Sequence, residues 1–374
     1  MKQWRGILKE FAPFLPITKL TPAITLNEGN TPLVRAMRIP ASIGFHGELY
    51  FKLEGKNPTG SFKDRGMVVA VAKALESGSQ AIVCASTGNT SASAAAYAAR
   101  AGIKAIVILP HGNVAPGKLA QALMFGASLV EVEGSFDDAL VVVRRLANQY
   151  QATLVNSINS YRLEGQKTAS IEVVEQLGRR FPDFHFIPVG NAGNITAYWS
   201  GYKEYLNWLV IGHHAGFRVF LGASSVSLMG VLPRMMGYQA AGAAPIVEGH
   251  IIEHPETVAT AIRIGNPARW EDATRVVRES KGLIDKVTDE EILYAYKLLA
   301  TQEGIFVEPA SAAPVAGFLK AWREGRVPDG DIVVCTLTGD GLKDPTTALS
   351  VANRSVVVPA DADYIASLLE LPHR

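Results

Sequence analysis

The chain has 374 residues, of which 48% are hydrophobic and 19% charged, the composition of an ordinary globular protein with room for two domains. Thirty-six Lys and Arg against 35 Asp and Glu leave a formal net charge of +1, which gives no electrostatic footprint for nucleic acid or an anionic membrane. Its two cysteines, Cys84 in AIVCAS and Cys335 in DIVVCTLT, sit in apolar runs without ligand spacing, which argues against a disulfide framework and a metal site and for a reducing compartment. The opening MKQWRGILKEFAPFLP is interrupted by Pro13 and Pro16 and lacks the apolar core of a signal peptide. No apolar stretch reaches the ~18 residues of a membrane helix, so a cytoplasmic protein is expected.

From Glu48 onward short β-branched runs alternate with helical stretches. ELYFKLE reads as a strand, and SFKDRGMVVAVAKALES as a helix stopped by Gly78. AIVCAS is a strand, then a helix through ASAAAYAARA ends at Gly102. KAIVILP, the helix PGKLAQALMF with Pro116 in its first turn, SLVEVEG, the helix FDDALVVVRRLANQY and ATLVNSI continue the alternation. FHFIPVG leads into a helix through TAYWSGYKEYLNWL, and FRVFLGA at 217–223 reads as a further strand. Helices are expected to dominate from residue 227 to about 303, with a surface loop at 237–250 and a late strand, DIVVCTLT. Strands separated by helices imply right-handed crossovers and parallel sheets covered on both faces. The last twenty residues read as a short docking segment.

Four segments carry chemistry, and each follows a strand. In N-P-T-G-S-F-K-D-R-G, residues 57–66, Pro58 and Gly60 force a turn and Ser61 with Asp64 spells a capping box. Lys63 then lies in the first helical turn, where the helix dipole and burial both disfavour its ammonium form, the condition for Schiff-base chemistry. In S-T-G-N-T-S-A-S, residues 86–93, hydroxyls and free amides at a helix start suit a small anion such as a carboxylate. In V-G-N-A-G-N, residues 189–194, two glycines let the backbone fold around a dianion. T-L-T-G-D-G-L-K-D-P, residues 336–345, sits where ligands of α/β sheets bind, outside the carboxyl end of a strand. There is no G-x-G-x-x-G after a strand, no Walker loop and no H-E-x-x-H, so the common dinucleotide, triphosphate and metalloprotease readings lack their signatures.

In this order the four segments, with N-E-G-N-T-P-L at 27–33, resemble the fold-type II pyridoxal-phosphate enzymes, and among them the threonine synthases. The resemblance runs from Asn27 to Pro345. It implies an α/β fold of two domains, each with a mainly parallel sheet flanked by helices. The large domain would comprise 1–65 and 156–374, and a small mobile domain, 66–155, would be inserted in it. It implies pyridoxal 5'-phosphate carried on Lys63, with Asn89 bonding the phenolic oxygen and Thr338 the pyridine nitrogen. Gly190, Asn191, Ala192, Gly193 and Asn194 would hold the cofactor phosphate. Ser86, Thr87 and Thr90 would take the substrate carboxylate, and Asn156, Ser157 and Arg162 the substrate phosphate. The activity implied is conversion of O-phosphohomoserine and water to threonine and phosphate, in a homodimer. A threonine or serine dehydratase of the same fold is the nearest rival. Those relatives carry S-G-N-H-A where this chain has S-T-G-N-T.

Overall fold

The computed structural model describes residues 3–112, 116–134, 136–211, 231–352 and 355–371. The helical turn α1 (Ile7–Glu10) leads to β1 (Leu33–Arg35), α2 (Arg38–Ile43) and β2 (Glu48–Leu53). Then α3 (Lys63–Glu76) ends ahead of Gly78, whose φ of +79° is the left-handed turn that a glycine allows. The next stretch is the predicted alternation: β3 (Ala81–Cys84), α4 (Asn89–Ala101), β4 (Lys104–Pro110), α5 (Pro116–Met124), β5 (Ser128–Val132), α6 (Phe136–Gln149) and β6 (Ala152–Leu154). There follow α7 (Ser160–Gln176), β7 (Phe184–Pro188), α8 (Gly193–Ile211), β8 (Arg234–Ala240), α9 (Pro245–Glu248) and α10 (Trp270–Ser280). The series continues with β9 (Leu283–Val287), α11 (Asp289–Glu303), α12 (Pro309–Arg323) and β10 (Ile332–Leu337). These elements belong to one compact unit, Met1–Asp344; a second, Pro345–Arg374, holds α13 (Pro345–Val351) and α14 (Ala362–Leu368).

The strands form two sheets. One has the order β1-β2-β10-β7-β8-β9 and is parallel except for the β1–β2 pair; the other, β5-β4-β3-β6, is parallel throughout. The central strands are apolar and buried along their length, as parallel strands covered on both faces must be. Because β2, β10 and β7 are parallel neighbours, the segments after them emerge on one sheet edge. That edge receives residues 57–62, 189–193 and 338–341. In the second sheet β3 and β6 are likewise parallel neighbours, so residues 85–88 and 155–159 emerge side by side. Among the described residues no helix is long and apolar enough to cross a membrane, and both cysteines are buried and free.

Three expectations are corrected. Between 231 and 303 helices do hold more residues than strands, but the reading omitted β8 and β9, which complete the six-stranded sheet. The region read as a loop at 237–250 begins inside β8, where Gly237 to Ala240 are buried, and then forms α9. Gly237 is there for packing, since a Cβ would approach the side chains of Val189 and Ile284 to 2.8 and 2.9 Å. The Ser61–Asp64 capping box is absent: Phe62 occupies the N-cap position of α3, and no side chain caps it. The Asp64 carboxylate instead accepts from Thr59 N–H (2.7 Å), Thr59 Oγ1 (2.6 Å) and Ser93 Oγ (2.6 Å), so a tertiary partner outcompetes the local motif. The strand expected at 217–223 lies outside the described residues.

Two devices hold α3 where it is. The first is close backbone packing. A Cβ on Gly165 would lie 1.9 Å from the Arg65 carbonyl oxygen, and one on Gly66 2.6 Å from the Arg162 carbonyl oxygen. Gly201 of α8 similarly abuts the Lys167 carbonyl, at 2.4 Å from where its Cβ would be. The helices α3, α7 and α8 therefore stack backbone to backbone. The second device is a buried ion network. Arg65 is wholly buried and bonds Glu54 through Nε (2.7 Å) and Nη2 (2.8 Å), and Glu172 through Nη1 (2.8 Å) and Nη2 (2.6 Å). Lys52 Nζ completes it at 2.8 Å from Glu172, and also donates to the Thr31 carbonyl at 2.8 Å. Burial alone would raise the Glu172 pKa, but the Arg65 and Lys52 cations overcome it and hold the group at about 2.

Replacing Arg65 by Met leaves two carboxylates buried without their fork, at a cost of about 3–5 kcal/mol. The expected result is a markedly lower denaturant midpoint in an equilibrium unfolding titration; a midpoint within error of the parent would show that the network is dispensable.

Candidate active site

Lys63 opens α3 with its side chain partly buried and Nζ 4.3 Å from the centroid of the Phe62 ring. Two further contacts seat this helix start on the sheet edge: Phe62 N–H donates to the Thr338 carbonyl at 3.0 Å, and Asp340 N–H to the Gly60 carbonyl at 2.9 Å. Loss of water around the amine, reinforced by the Arg162 guanidinium, brings the Lys63 pKa down to about 7, with Glu308 pulling the other way. Lys63 is thus a base poised near neutrality, which is what a carbonyl-binding and proton-moving lysine needs.

Arg162 lies in the first turn of α7, buried, its backbone against Gly66 of α3. Its Nη1 donates to the Val155 carbonyl at 3.1 Å and its Nε has no partner. Among the described residues no carboxylate forms an ion pair with it, and burial lowers its pKa to about 10. A buried guanidinium in that condition has the chemistry to accept an anion. Asn156 is committed elsewhere: its side-chain amide pairs with both the N–H (3.0 Å) and the carbonyl (2.9 Å) of Ala85, locking the end of β3. Ser157 is half-buried beside it.

The segment after β3 turns at Gly88, and Ser91 Oγ donates back to the Gly88 carbonyl at 2.7 Å. Ser86 and Thr87 are half-buried, and Thr90 buried, around the start of the 13-residue α4. Asn89 is its first residue, and Asn89 Nδ2 donates to both oxygens of Glu308, at 3.0 and 3.1 Å. That bond connects the segment after β3 to the N-cap of α12.

After β7, Gly190 runs 3.1 Å (measured from where its Cβ would be) from Ile262 Cα, and Ala192 adopts φ +62°, a left-handed conformation that costs a non-glycine residue roughly 1 kcal/mol. A left-handed residue in such a turn can aim successive amides to one side, and here it stands just ahead of the 19-residue α8. Asn191 Oδ1 accepts from Ala268 N–H at 3.2 Å, which pins the loop from outside. Asn194 is 8% exposed, and both atoms of its amide are unpaired among the described residues. A strained nest with an orphaned buried amide fits a phosphate dianion.

Thr338, buried at the end of β10, bonds Ser311 Oγ at 2.9 Å, and Ser311 Oγ in turn accepts from Gly339 N–H at 2.8 Å. The structure therefore brings Lys63, Thr338, Asn89 and Arg162 into one neighbourhood, with the 189–193 loop on the same sheet edge as Thr338. Sequence reading missed Glu308 and Ser311. The acidic residue ahead of Pro309 in V-E-P-A-S-A does signal a helix start, but nothing local says that both side chains turn away from their own helix.

The family described as pyridoxal-phosphate dependent enzyme matches residues 24–339. Threonine synthase of Halalkalibacterium halodurans is 54% identical, covering 96% of this chain and 96% of that one. Threonine synthase of Methanocaldococcus jannaschii is 46% identical over 96% of this chain and 86% of its own length. Among solved structures, the threonine deaminase of T.th. superposes with a TM-score of 0.67 at 25% identity, covering 88% of this chain and 94% of that one. Maize serine racemase shares the fold with a TM-score of 0.68 at 24% identity, covering 86% and 91%. The amine of lowered basicity, the phosphate nest and the buried hydroxyl at Thr338 fit pyridoxal phosphate, and the chain belongs to the pyridoxal-phosphate dependent enzymes, in the threonine synthase family.

Proposed function

We propose that this enzyme converts O-phosphohomoserine and water into threonine and phosphate, with Lys63 as carrier of the cofactor and as base. The observation that carries the reading is the pair formed by an amine near neutrality and a buried guanidinium that lacks a carboxylate partner among the described residues. A dehydratase acting on threonine or serine has no phosphate to place against such a group.

Bound pyridoxal phosphate supplies the sink for the electron pair left at Cα when its proton departs. In the proposed roles, residues 190–194 hold the cofactor's phosphate in the strained nest. Asn89 and Thr338 meet the polar atoms of its ring. The start of α4, with Ser86, Thr87 and Thr90, takes the substrate carboxylate. Lys63, its basicity lowered to about 7, takes the Cα proton and then moves a proton at Cβ. Arg162 takes the substrate phosphate, repaying the desolvation of its own charge, and then stabilises the negative charge that grows on the departing oxygen. Ser157 is assigned to the same phosphate, and Asn156 keeps the β3 end in place by its bonds to Ala85. Phosphate departs from Cγ, which takes up a proton to become the methyl group; water then adds its hydroxyl at Cβ and a proton returns to Cα, so the atoms of substrate and water equal those of threonine and phosphate.

The reading retains a small domain, 66–155, inserted between 1–65 and 156–374. In its support, every strand of the four-stranded sheet falls within 81–154. Bonds such as Asn89 to Glu308 and Lys343 Nζ to Gln121 Oε1 (2.5 Å) are the ones that relative motion of two such domains would make and break. A homodimer in the cytoplasm completes the proposal.

Arg162→Ala should lower kcat/KM for O-phosphohomoserine on the order of 10³-fold while cofactor affinity stays within a few-fold. Phosphate release and an absorbance titration with pyridoxal phosphate measure the two; equal losses would remove Arg162 from the substrate site. Ketoacid formation from threonine, run beside phosphate release on the parent enzyme, should be the slower reaction.

The pH dependence of cofactor uptake tests the base. Only the neutral amine adds to an aldehyde, so uptake by cofactor-free protein should accelerate as pH rises through about 7. Arg162 depresses the Lys63 pKa, so Arg162→Ala should move this rise to higher pH. Stopped-flow absorbance checks it; an unchanged pH dependence would mean that the Arg162 charge is not felt at Lys63.

A further inference from the structure

Glu308 stands at the N-cap position of α12 without capping it; its side chain leaves the helix for Asn89. The carboxylate is 5% exposed. Its oxygens lie 3.0 and 3.1 Å from a single nitrogen, Asn89 Nδ2, so they share one N–H and leave the second free. A carboxamide flipped end for end would aim Oδ1 at the carboxylate, acceptor against acceptor, beside a buried group. Which end of the Asn89 amide faces which way is therefore decided by Glu308.

Glu308 is itself held from several sides. Its N–H donates to the Gly339 carbonyl at 3.1 Å, and its carbonyl accepts from Ser311 N–H at 2.9 Å. Gly339 leaves the room that the carboxylate fills: a Cβ there would stand 2.3 Å from Glu308 Oε1 and 2.5 Å from Cδ. The glycine in T-L-T-G-D-G is thus needed for the acid across the site as well as for a turn. Among the described contacts the ordered partner of this carboxylate is Asn89. The same charge is felt at the Lys63 amine, where it opposes Arg162.

We propose that Glu308 is a positioning residue, which orients the Asn89 carboxamide so that an N–H rather than a carbonyl is presented to an oxygen of the bound cofactor. This rests on the reading above, in which Asn89 meets the cofactor ring. Glu308 touches neither cofactor nor reacting atoms in this assignment; apart from its opposing pull on the Lys63 amine, it acts through Asn89.

A double-variant cycle on the cofactor-loaded enzyme tests it, with Asn89→Ala, Glu308→Ala and the pair read by the visible absorption spectrum of the bound cofactor, by kcat/KM and by thermal melting. Glu308→Ala should change the balance of absorption bands in the same direction as Asn89→Ala and lower kcat/KM roughly 10- to 100-fold. In the Asn89→Ala background its removal should cost less than about 3-fold more, because the residue it orients is gone. Glu308→Gln keeps an acceptor oxygen for Nδ2 and should recover most of the spectrum and rate. Gly339→Ala crowds the carboxylate off its partner and should follow Glu308→Ala, and these two variants carry the test if Glu308→Ala fails to fold. Losses that multiply in the pair, or a Glu308→Ala spectrum identical to the parent's, overturn the proposal. Failure of the underlying reading looks different: the parent itself would lack a visible band, and borohydride would leave Lys63 unlabelled.

Discussion

Everything near the candidate site is referred to one buried guanidinium, that of Arg65. It reaches Glu54 just after β2 and Glu172 on α7, and Lys52 joins through the same glutamate. Formally two cations face two carboxylates, so the cluster adds no net charge to the interior. Such clusters are poor sources of stability, because desolvation consumes most of the Coulomb attraction, but they are intolerant of misalignment. Each oxygen has its assigned donor, and sliding α3 along α7 would orphan several at once. The network thereby fixes the register of the helix that begins with Lys63 against the helix that carries Arg162.

Fixed register is what makes the electrostatics of Lys63 meaningful. Burial lowers its basicity first, Arg162 lowers it further, and Glu308 restores part of it. The three influences come from different elements: the packing around α3, the first turn of α7 and the first turn of α12. Two of those elements also hold the neighbouring polar groups, since Glu308 and Ser311 of the α12 turn bond Asn89 and Thr338 respectively. A single helix start thus stands behind both the charge balance at the amine and the orientation of two side chains that flank it.

What could be read from the sequence was whatever is encoded locally. Strands such as AIVC and IVVCTL announce themselves by their β-branched residues, and the segments following them carry glycine and hydroxyl side chains for which only ligand binding or a turn gives a reason. Lys63 and the 190–194 loop stood out for that cause, whereas Arg162 was reached only through the family resemblance. Strand β8, RMMGYQA, was not, because methionine, glycine and glutamine give no β signal and its place is decided by burial between β7 and β9. LIDKV of β9 hides behind two charged residues on a sheet edge. The capping box at Ser61 was a sound local inference that Ser93 and Thr59 overrode. Glu308 was beyond reach for a plainer reason: its partner lies 219 residues away, and no pattern in a single sequence reports that distance.

The glycines at 66, 165 and 201 bear on how this scaffold tolerates change. Where helices meet through side chains, their separation drifts as those side chains are exchanged. Here main-chain atoms of α3, α7 and α8 meet directly. The spacing of the helices that bear Lys63 and Arg162 is therefore insulated from the composition of the surrounding core. Apolar residues such as Val68, Val71 and Ile171 can be redrawn by drift or by engineering with the reactive geometry left intact, whereas one added methyl group at any of the three glycines would displace it.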